Sequence, residues 1–223
     1  MILAIDSSTQ WMGIALYLDA QVLYEKVWRT NRRHTVELAP AIQSAITDCG
    51  MQVADLRAVA VALGPGSFTS LRIGLAVAKG LSLALRIPVI GIPSLEITAA
   101  CQPVRDIPLI ALLKAGRERL AAQEFRASGG TWQAQGEIYM TSAQELENSI
   151  SSATLICGEI SAEERKTLER RWRNAVLASP ADNLRRPSKL AELAIKKLDA
   201  NLVDDVVSLA PIYLHTLNTP AGT

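Results

Sequence analysis

Aromatic residues are scarce in this sequence: Phe, Trp and Tyr together make up 4% of its 223 residues. Ala, Leu, Ile and Val supply most of the apolar fraction, which is 49%. This composition excludes a disordered chain, and it favours parallel β-strands that are buried on both faces and covered by helices. The length is sufficient for one large domain or for two lobes of about 100 residues each.

Cysteine and histidine are also rare, with three and two copies. The cysteines are isolated and form no CxxC pair, which predicts reduced, mostly structural thiols in a cytosolic protein. The histidines, His34 and His215, belong to no HxxxH or HExxH motif, so we expect no metal site from them.

Segments that would direct the chain to a membrane are missing. The first residues lack the basic stretch and long apolar run of a signal peptide. The longest apolar stretch, Ile73 to Leu85, contains Lys79 and is shorter than the roughly 20 residues that span a bilayer. We therefore expect a soluble, cytoplasmic protein without a membrane partner.

A strong excess of one charge is absent as well. The net charge is +1, which provides no general attraction to nucleic acids. Between Ala162 and Lys197, ten basic residues stand against five acidic ones. A solvated helix surface is the favoured interpretation, and contact of the Arg165–Lys197 stretch with tRNA stays open.

Apolar periodicity predicts the order β-β-β-α-β-α-β-α in the first half, which is typical of a ribonuclease-H-like half-domain. Pro40 should kink its helix or mark a late start, and Ser94 is a candidate N-cap. The predicted strands are Ile2–Ile5, Trp11–Leu18, Gln21–Trp28, Ala58–Leu63 and Pro88–Gly91, and the helices are Thr35–Cys49, Phe68–Leu85 and one that starts at Ser94.

The second half gives weaker signals of the same kind. Strands are predicted at Pro108–Leu113, Leu120–Arg126 and Thr154–Cys157, with a turn at Gly129–Gly130 and helices after Ala162 and Lys189. We therefore predict an α/β fold of two lobes, residues 1–103 and 104–223. The last helix either stays in the second lobe or returns to the first.

Two polar segments follow predicted strands. Asp6-Ser7-Ser8-Thr9 stands at the carboxyl end of the first strand, where α/β proteins bind ligands; it is either a phosphate loop or an ordinary turn. Gly64-Pro65-Gly66-Ser67 does not match the P-loop or the GxGxxG spacing. We interpret this second segment as a structural turn in which Ser67 or Thr69 caps the following helix.

The helix predicted at Phe68–Leu85 is apolar on nearly all sides. Ala76, Gly80 and Ala84 recur at four-residue spacing, and small residues on one ridge allow another helix to approach closely. The partner is either a helix of this chain, such as Thr35–Cys49, or a helix of another protein. Periodicity alone does not decide between them.

Several of these segments together resemble the TsaB (YeaZ) family. They are ILAIDSST at Ile2–Thr9, GPGSFTSLRIG at Gly64–Gly74, and IPVIG at Ile87–Gly91, supported by His34-Thr35, Ala78–Leu81 and the ending Pro211–Leu214. The likeness is strong over about the first hundred residues and thin beyond them. It implies an actin-like fold with two ribonuclease-H-like lobes.

The resemblance also implies a function. Members of the family are non-catalytic scaffolds, without a cofactor, for the machinery that places threonylcarbamoyl on adenosine 37 of tRNAs reading ANN codons. They bind and stabilise their paralogue TsaD, help to recruit the ATPase TsaE, form homodimers when alone, and meet tRNA only through the complex. The partner interface implied here comprises Leu38, Ile42, Leu71, Arg72, Leu75, Ala76, Lys79, Gly80 and Leu83.

Within this resemblance the Asp6–Thr9 loop is a vestigial phosphate loop. TsaD-like proteins carry a metal-binding HxxxH pair where this chain has Ser94 and Thr98, and a hydroxyl does not replace an imidazole as a ligand for a transition metal. The chain departs from the family at Lys114, where an aspartate is usual, and no role follows from that change.

Two other functions compete with the scaffold. An ATP-dependent small-molecule kinase of the same actin-like fold would need a second phosphate loop and a glycine-rich adenosine loop. Gly158, after the strand Thr154–Cys157, is the one candidate glycine, and the sequence near residue 180 offers no double-glycine adenosine loop. A metallopeptidase would need paired metal ligands, which the sequence does not offer.

Overall fold

The computed structural model describes residues 1–31, 33–116, 119–171 and 173–214. The chain divides into two compact units. The first contains Met1–Ile97 and Arg185–Ile212, and the second contains Thr98–Leu184 with the chain from Tyr213. The chain therefore comes back to the first unit after the main segment of the second, Thr98–Leu184.

The first unit is built on a five-stranded mixed sheet. Its strands are β1 (Ile2–Asp6), β2 (Trp11–Leu18), β3 (Gln21–Arg29), β4 (Ala58–Ala62) and β5 (Val89–Ile92); its helices are α1 (His34–Asp48), α2 (Phe68–Leu85) and α6 (Pro187–Asp199), and α3 (Ser94–Ala100) begins in it. The strand order is β3-β2-β1-β4-β5. The strand β1 pairs antiparallel with β2 and parallel with β4, and the chain crosses over through a helix between the parallel strands.

Both faces of this sheet are covered, which explains why its central strands are apolar throughout. Successive side chains of a strand point to opposite faces. Leu3 and Ile5 pack under α1 and α2, whereas Ile2 and Ala4 pack under α6. The buried strands β1 and β4 consequently show no polar alternation.

The second unit repeats the same topology in a second sheet of order β10-β9-β6-β7-β8. Its first strand, β6, again lies between an antiparallel and a parallel neighbour. The elements are β6 (Leu109–Lys114), β7 (Leu120–Ser128), β8 (Thr131–Thr141), α4 (Ala143–Ser149), β9 (Thr154–Gly158), α5 (Ala162–Glu169) and β10 (Ala175–Leu177). The prediction of two ribonuclease-H-like halves is confirmed.

Several local predictions were wrong or incomplete. The first helix begins at His34 and runs through Pro40, so this proline does not mark a late start. Ser94 is the first residue of α3, and its hydroxyl also contacts Ser8 and Gly64. The missed elements of the described residues include β8, whose centre is exposed, the short helix α4, the three-residue strand β10, and a 3-10 turn at Val53–Asp55.

Candidate functional site

The loop Asp6–Thr9 lies at the carboxyl end of β1, but its side chains do not face solvent. All four residues are buried, from Ser7 at 0% exposure to Thr9 at 7%. The backbone N–H and the hydroxyl of Ser8 both donate to Asp6 Oδ1, over 2.9 and 2.6 Å. The loop is therefore folded onto its own carboxylate.

The second oxygen of that carboxylate is held by Arg185, which precedes α6. Arg185 Nε donates to Asp6 Oδ2 over 2.8 Å, and Arg185 Nη2 donates to Thr9 Oγ1 over 2.9 Å. The side chains of the pair are 3% and 4% exposed. A buried carboxylate needs a compensating charge, and in this loop the compensation comes from within the chain.

The remaining polar atoms of the loop are also engaged with the chain. His34 Nε2 lies 2.9 Å from the carbonyl oxygen of Thr9, so this nitrogen carries the proton and donates. Ser7 Oγ donates to the carbonyl oxygen of Ser70 in the first turn of α2, over 2.8 Å. The loop thus joins β1 to α1 and α2.

The two hydroxyl residues that we predict to stand at the paralogue's histidine positions are buried as well. Ser94 is 0% and Thr98 1% exposed. Ser94 Oγ lies 2.6 Å from Ser8 Oγ and accepts a hydrogen bond from the backbone N–H of Gly64 over 3.1 Å. Among the residues that the structure describes, no cluster of three or more His, Cys, Asp or Glu side chains could hold a metal ion.

The segment Gly64–Ser67 passes directly beneath the loop. The Ser67 N–H donates to the Ser8 carbonyl oxygen over 2.7 Å. A Cβ atom at Gly66 would lie 2.1 Å from that same oxygen, so only glycine fits there. We predicted that Ser67 or Thr69 caps α2. Ser67 does occupy the N-cap position, but its side chain makes no capping bond and instead accepts from Ser70 Oγ over 2.9 Å.

Four of the residues assigned to a partner interface lie inside the first unit and need correction. Leu38 and Ile42 of α1 and Leu71 and Leu75 of α2 are between 1% and 6% exposed. They are buried because these sides of the two helices pack onto the sheet and onto each other. Their side chains offer no surface to another protein.

The other assigned residues form the outward face of α2. Arg72, Ala76, Gly80 and Leu83 are exposed, Leu83 at 63%, and Lys79 is half-buried. A Cβ atom at Gly80 would meet nothing within 4 Å. We call the exposed residues Arg72, Ala76, Gly80, Leu83 and Ala84 the α2 ridge.

Two further residues that the sequence did not single out border the α2 ridge. The ring of Phe68, which is 43% exposed, lies 3.7 Å from the Arg72 guanidinium carbon. Val207, exposed at 82%, comes next to α2 because Lys79 Nζ donates to its carbonyl oxygen over 3.1 Å. The apolar surface is therefore wider than the helix itself.

By length and composition alone, α2 is the one helix in the described part of the chain that could cross a membrane. Leu71, Leu75 and Ala78 on its inner side are buried against the first unit. A helix of a globular unit can have the same composition, and the inner side of α2 packs in that way.

Lys114, where we predict a departure from the family pattern, has a structural partner. Its ammonium group forms an ion pair with Glu164 in the first turn of α5. Burial raises the pKa of Glu164, but hydrogen bonds from Lys114 and Ser161 outweigh it, and the pKa lies below its ordinary value. The lysine therefore ties β6 to α5.

The basic stretch from Arg165 to Lys197 does not form one surface. Arg165 pairs with Glu169, and Arg171 pairs with Glu147. Within the first unit, Arg185 is buried, Arg186 pairs with Glu25, and Lys197 donates to the carbonyl oxygen of Gly91. Many of the basic side chains in this stretch therefore have partners within the chain.

Comparison with known proteins agrees with this architecture. Residues 28–180 match the TsaD family model, described as tRNA N6-adenosine threonylcarbamoyltransferase. The tRNA threonylcarbamoyladenosine biosynthesis protein TsaB of Bacillus subtilis is 30% identical over 99% of this chain and 96% of its own length. A tRNA N6-adenosine threonylcarbamoyltransferase of Syntrophus aciditrophicus is 32% identical over 52% of this chain and 40% of its own.

Among solved structures, YeaZ from Pseudomonas aeruginosa superimposes with a TM-score of 0.79 at 21% identity, covering 96% of this chain and 99% of its own. This likeness concerns the fold, and the full-length sequence match concerns the family. The chain therefore has the actin-like α/β fold of two ribonuclease-H-like halves and belongs to the TsaB (YeaZ) family.

Proposed function

We propose that this chain serves in the biosynthesis of threonylcarbamoyladenosine in tRNA as a non-catalytic scaffold. In this proposal it binds and stabilises a TsaD-type paralogue through the α2 ridge and helps to recruit the ATPase TsaE. It works in the cytoplasm, needs no cofactor of its own, and meets tRNA through the complex. The full-length match to a protein named for this pathway is the observation that carries the proposal.

The state of the Asp6–Thr9 loop supports the non-catalytic part of the proposal. A phosphate loop must offer backbone N–H groups and hydroxyls to an incoming anion, and a carboxylate to its cation. In this loop the carboxylate is paired with Arg185, and the hydroxyls of Ser7 and Ser8 bond to Ser70 and Asp6. A kinase function would first require these contacts to break.

The surface of α2 supports the partner part of the proposal. Ala76 and Gly80 leave a shallow groove along the helix, into which the side chains of a second helix can settle. Phe68 and Leu83 are exposed towards the two ends of α2, and Val207 is exposed beside the helix; exposed apolar side chains of this kind are typical of an interface. A paralogue with the same helix offers a matching ridge, and so does a second copy of this chain.

The test is to mix the purified chain with the TsaD paralogue of the same organism and to measure complex mass by size-exclusion chromatography with light scattering. We expect a 1:1 heterodimer that forms at the expense of any homodimer. No association between two folded proteins would sink the partner hypothesis, and ATP binding to the isolated chain would then be the next measurement.

Gly80→Leu tests the position of the interface. Its side chain would project into solvent in the isolated chain but would clash with a helix packed on the ridge. We expect the heterodimer to weaken at least tenfold while the thermal unfolding of the isolated chain stays cooperative. Ala162→Leu, at an exposed position of α5, is the matched control and should leave assembly unchanged.

A further inference from the structure

A groove separate from the α2 ridge runs between β3 and α1. It has a volume of about 430 Å³, and no residue of α2 contributes to it. Strand β3 provides one wall and α1 the other. Its lining residues are Lys26, Trp28, Arg29, Val36, Glu37, Pro40, Ala41 and Ser44, which we call the β3–α1 groove.

The α1 wall of the groove is largely apolar. Val36 is 58% exposed in the first turn of the helix, and Pro40 is exposed one turn further along. The indole of Trp28 lies half-buried opposite them, and its Nε1 donates to Glu37 Oε2 over 3.0 Å. The groove thus offers a fixed aromatic and aliphatic lining that would accept one aliphatic side chain.

The β3 wall of the groove is basic. Lys26 Nζ lies 5.2 Å from the centre of the Trp28 ring, so its charge stays at the mouth of the groove. Arg29 is exposed and is anchored by two hydrogen bonds to Gln10 Oε1, at 3.1 and 3.0 Å. Two positive charges are therefore held in place beside the apolar lining.

The acidic residue in the lining does not cancel this charge at the surface. Hydrogen bonds to Glu37 from Trp28 and Thr30 hold the pKa of this carboxyl below its ordinary value, and Arg33 lies near it. Its ionised oxygens are already engaged by the indole and by Arg33. The field at the opening is set by the cations, and it is complementary to an acidic ligand.

The position of β3 adds a backbone feature to these side chains. In the described part of the chain β3 is the outermost strand of its sheet and pairs with β2 on one side. An outer strand presents N–H and C=O groups with which an extended peptide can pair. Val22 and Leu23, exposed at 45% and 36%, continue an apolar surface along the same edge.

We propose that the β3–α1 groove is a docking site for an extended acidic segment of a partner protein, whose aliphatic side chain enters between Trp28 and Pro40. The segment pairs with β3, and its carboxylates lie against Lys26 and Arg29. The site is independent of the function proposed above, because the α2 ridge takes no part in it.

A peptide fits these observations better than single-stranded RNA does. Base binding relies on open aromatic faces on which successive bases stack. In this groove Trp28 is the aromatic residue of the lining, and one of its faces already carries Lys26. The α1 wall contributes Val36, Pro40 and Ala41, which suit an aliphatic peptide side chain.

The experiment uses the full chain and a capped hexapeptide of alternating glutamate and valine. Binding is followed through the indole N–H signal of Trp28 in 15N-resolved NMR, assigned with Trp28→Phe. We expect a saturable shift with a dissociation constant on the order of 0.1 to 1 mM. The control is a capped hexapeptide of alternating lysine and valine. The proposal is overturned if the acidic peptide causes no shift at several millimolar, or if the lysine–valine peptide causes an equal shift.

Two variants and one control locate the site. Lys26→Glu should weaken binding of the acidic peptide about tenfold, because an attraction becomes a repulsion. Val36→Glu should abolish it by placing a charge in the aliphatic wall. Arg57→Glu makes the same charge change at an exposed position outside the groove and should leave binding unchanged.

These side chains are exposed, so the variants should fold, and cooperative thermal unfolding verifies this. Unchanged affinity in both groove variants would place the peptide elsewhere and overturn the proposal. A short oligouridylate that binds the groove more tightly than the acidic peptide would do the same, and would assign the groove to nucleic acid.

Discussion

Arg185 provides, from inside the folded chain, the positive charge that a carboxylate at this position would otherwise take from a bound cation. The sequence showed Asp6 as a candidate ligand and Arg185 as one member of a basic stretch. It could not join them, because 179 positions separate the pair and only the return of the chain brings them to 2.8 Å. One buried ion pair therefore occupies the carboxylate that the sequence offered as a ligand for a cation.

Removing this arginine should destabilise the protein strongly. Arg185→Met leaves Asp6 buried without compensation, and the free energy of unfolding should fall by about 3–5 kcal/mol. Urea unfolding measures the loss. Arg186→Met, which removes the pair between the 60% exposed Arg186 and Glu25, is the control and should cost clearly less than Arg185→Met.

The double variant Asp6→Asn/Arg185→Met separates the charge from the packing. Because it buries no ion, it should lose less stability than Arg185→Met alone. Equal losses in the single and double variants would show that the cost comes from packing and not from the uncompensated carboxylate.

Lys114 should contribute a pH-dependent stabilisation. The pKa of Glu164 is lowered in the folded protein, so its contribution is present above the unfolded value of about 4.3 and is lost as the pH falls through the folded pKa. Lys114→Met should reduce the free energy of unfolding by less than about 1 kcal/mol near neutral pH, since Lys114 is 41% exposed. Near pH 2 the difference from the parent protein should vanish.

Urea unfolding at the two pH values tests this, with Lys166→Met on the exposed side of α5 as the control. A difference that persisted unchanged in strong acid would mean that Lys114 acts through its aliphatic stem and not through its charge.

At the scale of elements, α2 shows what periodicity predicts and what it cannot. Its bounds, Phe68 to Leu85, agree with the prediction, because a long apolar run between Gly66 and Pro88 allows little else. The prediction of its outer face was only partly correct, since Leu71 and Leu75 are as apolar as Leu83. Which leucine faces out depends on where the sheet lies, and that is a tertiary property.

Its two glycines should respond oppositely to alanine. A Cβ atom at Gly80 meets nothing within 4 Å, so Gly80→Ala should raise the free energy of unfolding by about 0.5–1 kcal/mol through helix propensity. At Gly74 a Cβ atom would lie 2.2 Å from Ser7 Oγ and would displace its bond to Ser70. Gly74→Ala should therefore cost about 1–3 kcal/mol.

Thermal or urea unfolding of the two variants checks both signs. A loss of stability in Gly80→Ala in the isolated chain would mean that the ridge is already covered, for example by a second copy, and dilution of the protein would then change the result.

At the scale of the whole molecule, two features are not visible in the sequence: the shared topology of the two sheets and the division of the chain into units. The strands of both sheets follow one topology, and the apolar runs predicted most of them, but no repeat in the sequence links the halves. The division of the chain is less visible still, because Arg185–Ile212 belongs with the first unit although the second unit separates it from Ile97. Local patterns carry no information on such a return.

The return segment supplies one complete layer of the first unit. Three residues of α6 are fully buried against the face of β1 that carries Ile2 and Ala4; they are Leu190, Ala191 and Ala194. Asp204 bonds to the Gly91 N–H of the outer strand β5 over 2.8 Å. Without this segment, one apolar face of the sheet would be exposed to water, and the carboxylate of Asp6 would lose the arginine that compensates its charge.

A chain that ends at Leu184 should therefore fail to fold its first unit, although it retains all ten strands. We expect it to lack a cooperative unfolding transition for that unit in urea, followed by circular dichroism and Trp fluorescence. Co-expression of residues 185–214 as a separate chain should restore the transition, because α6 and Arg185 act through non-covalent contacts. A truncated chain that unfolded like the full one would show that the helices on the opposite face suffice, and the buried ion pair would then be dispensable for folding.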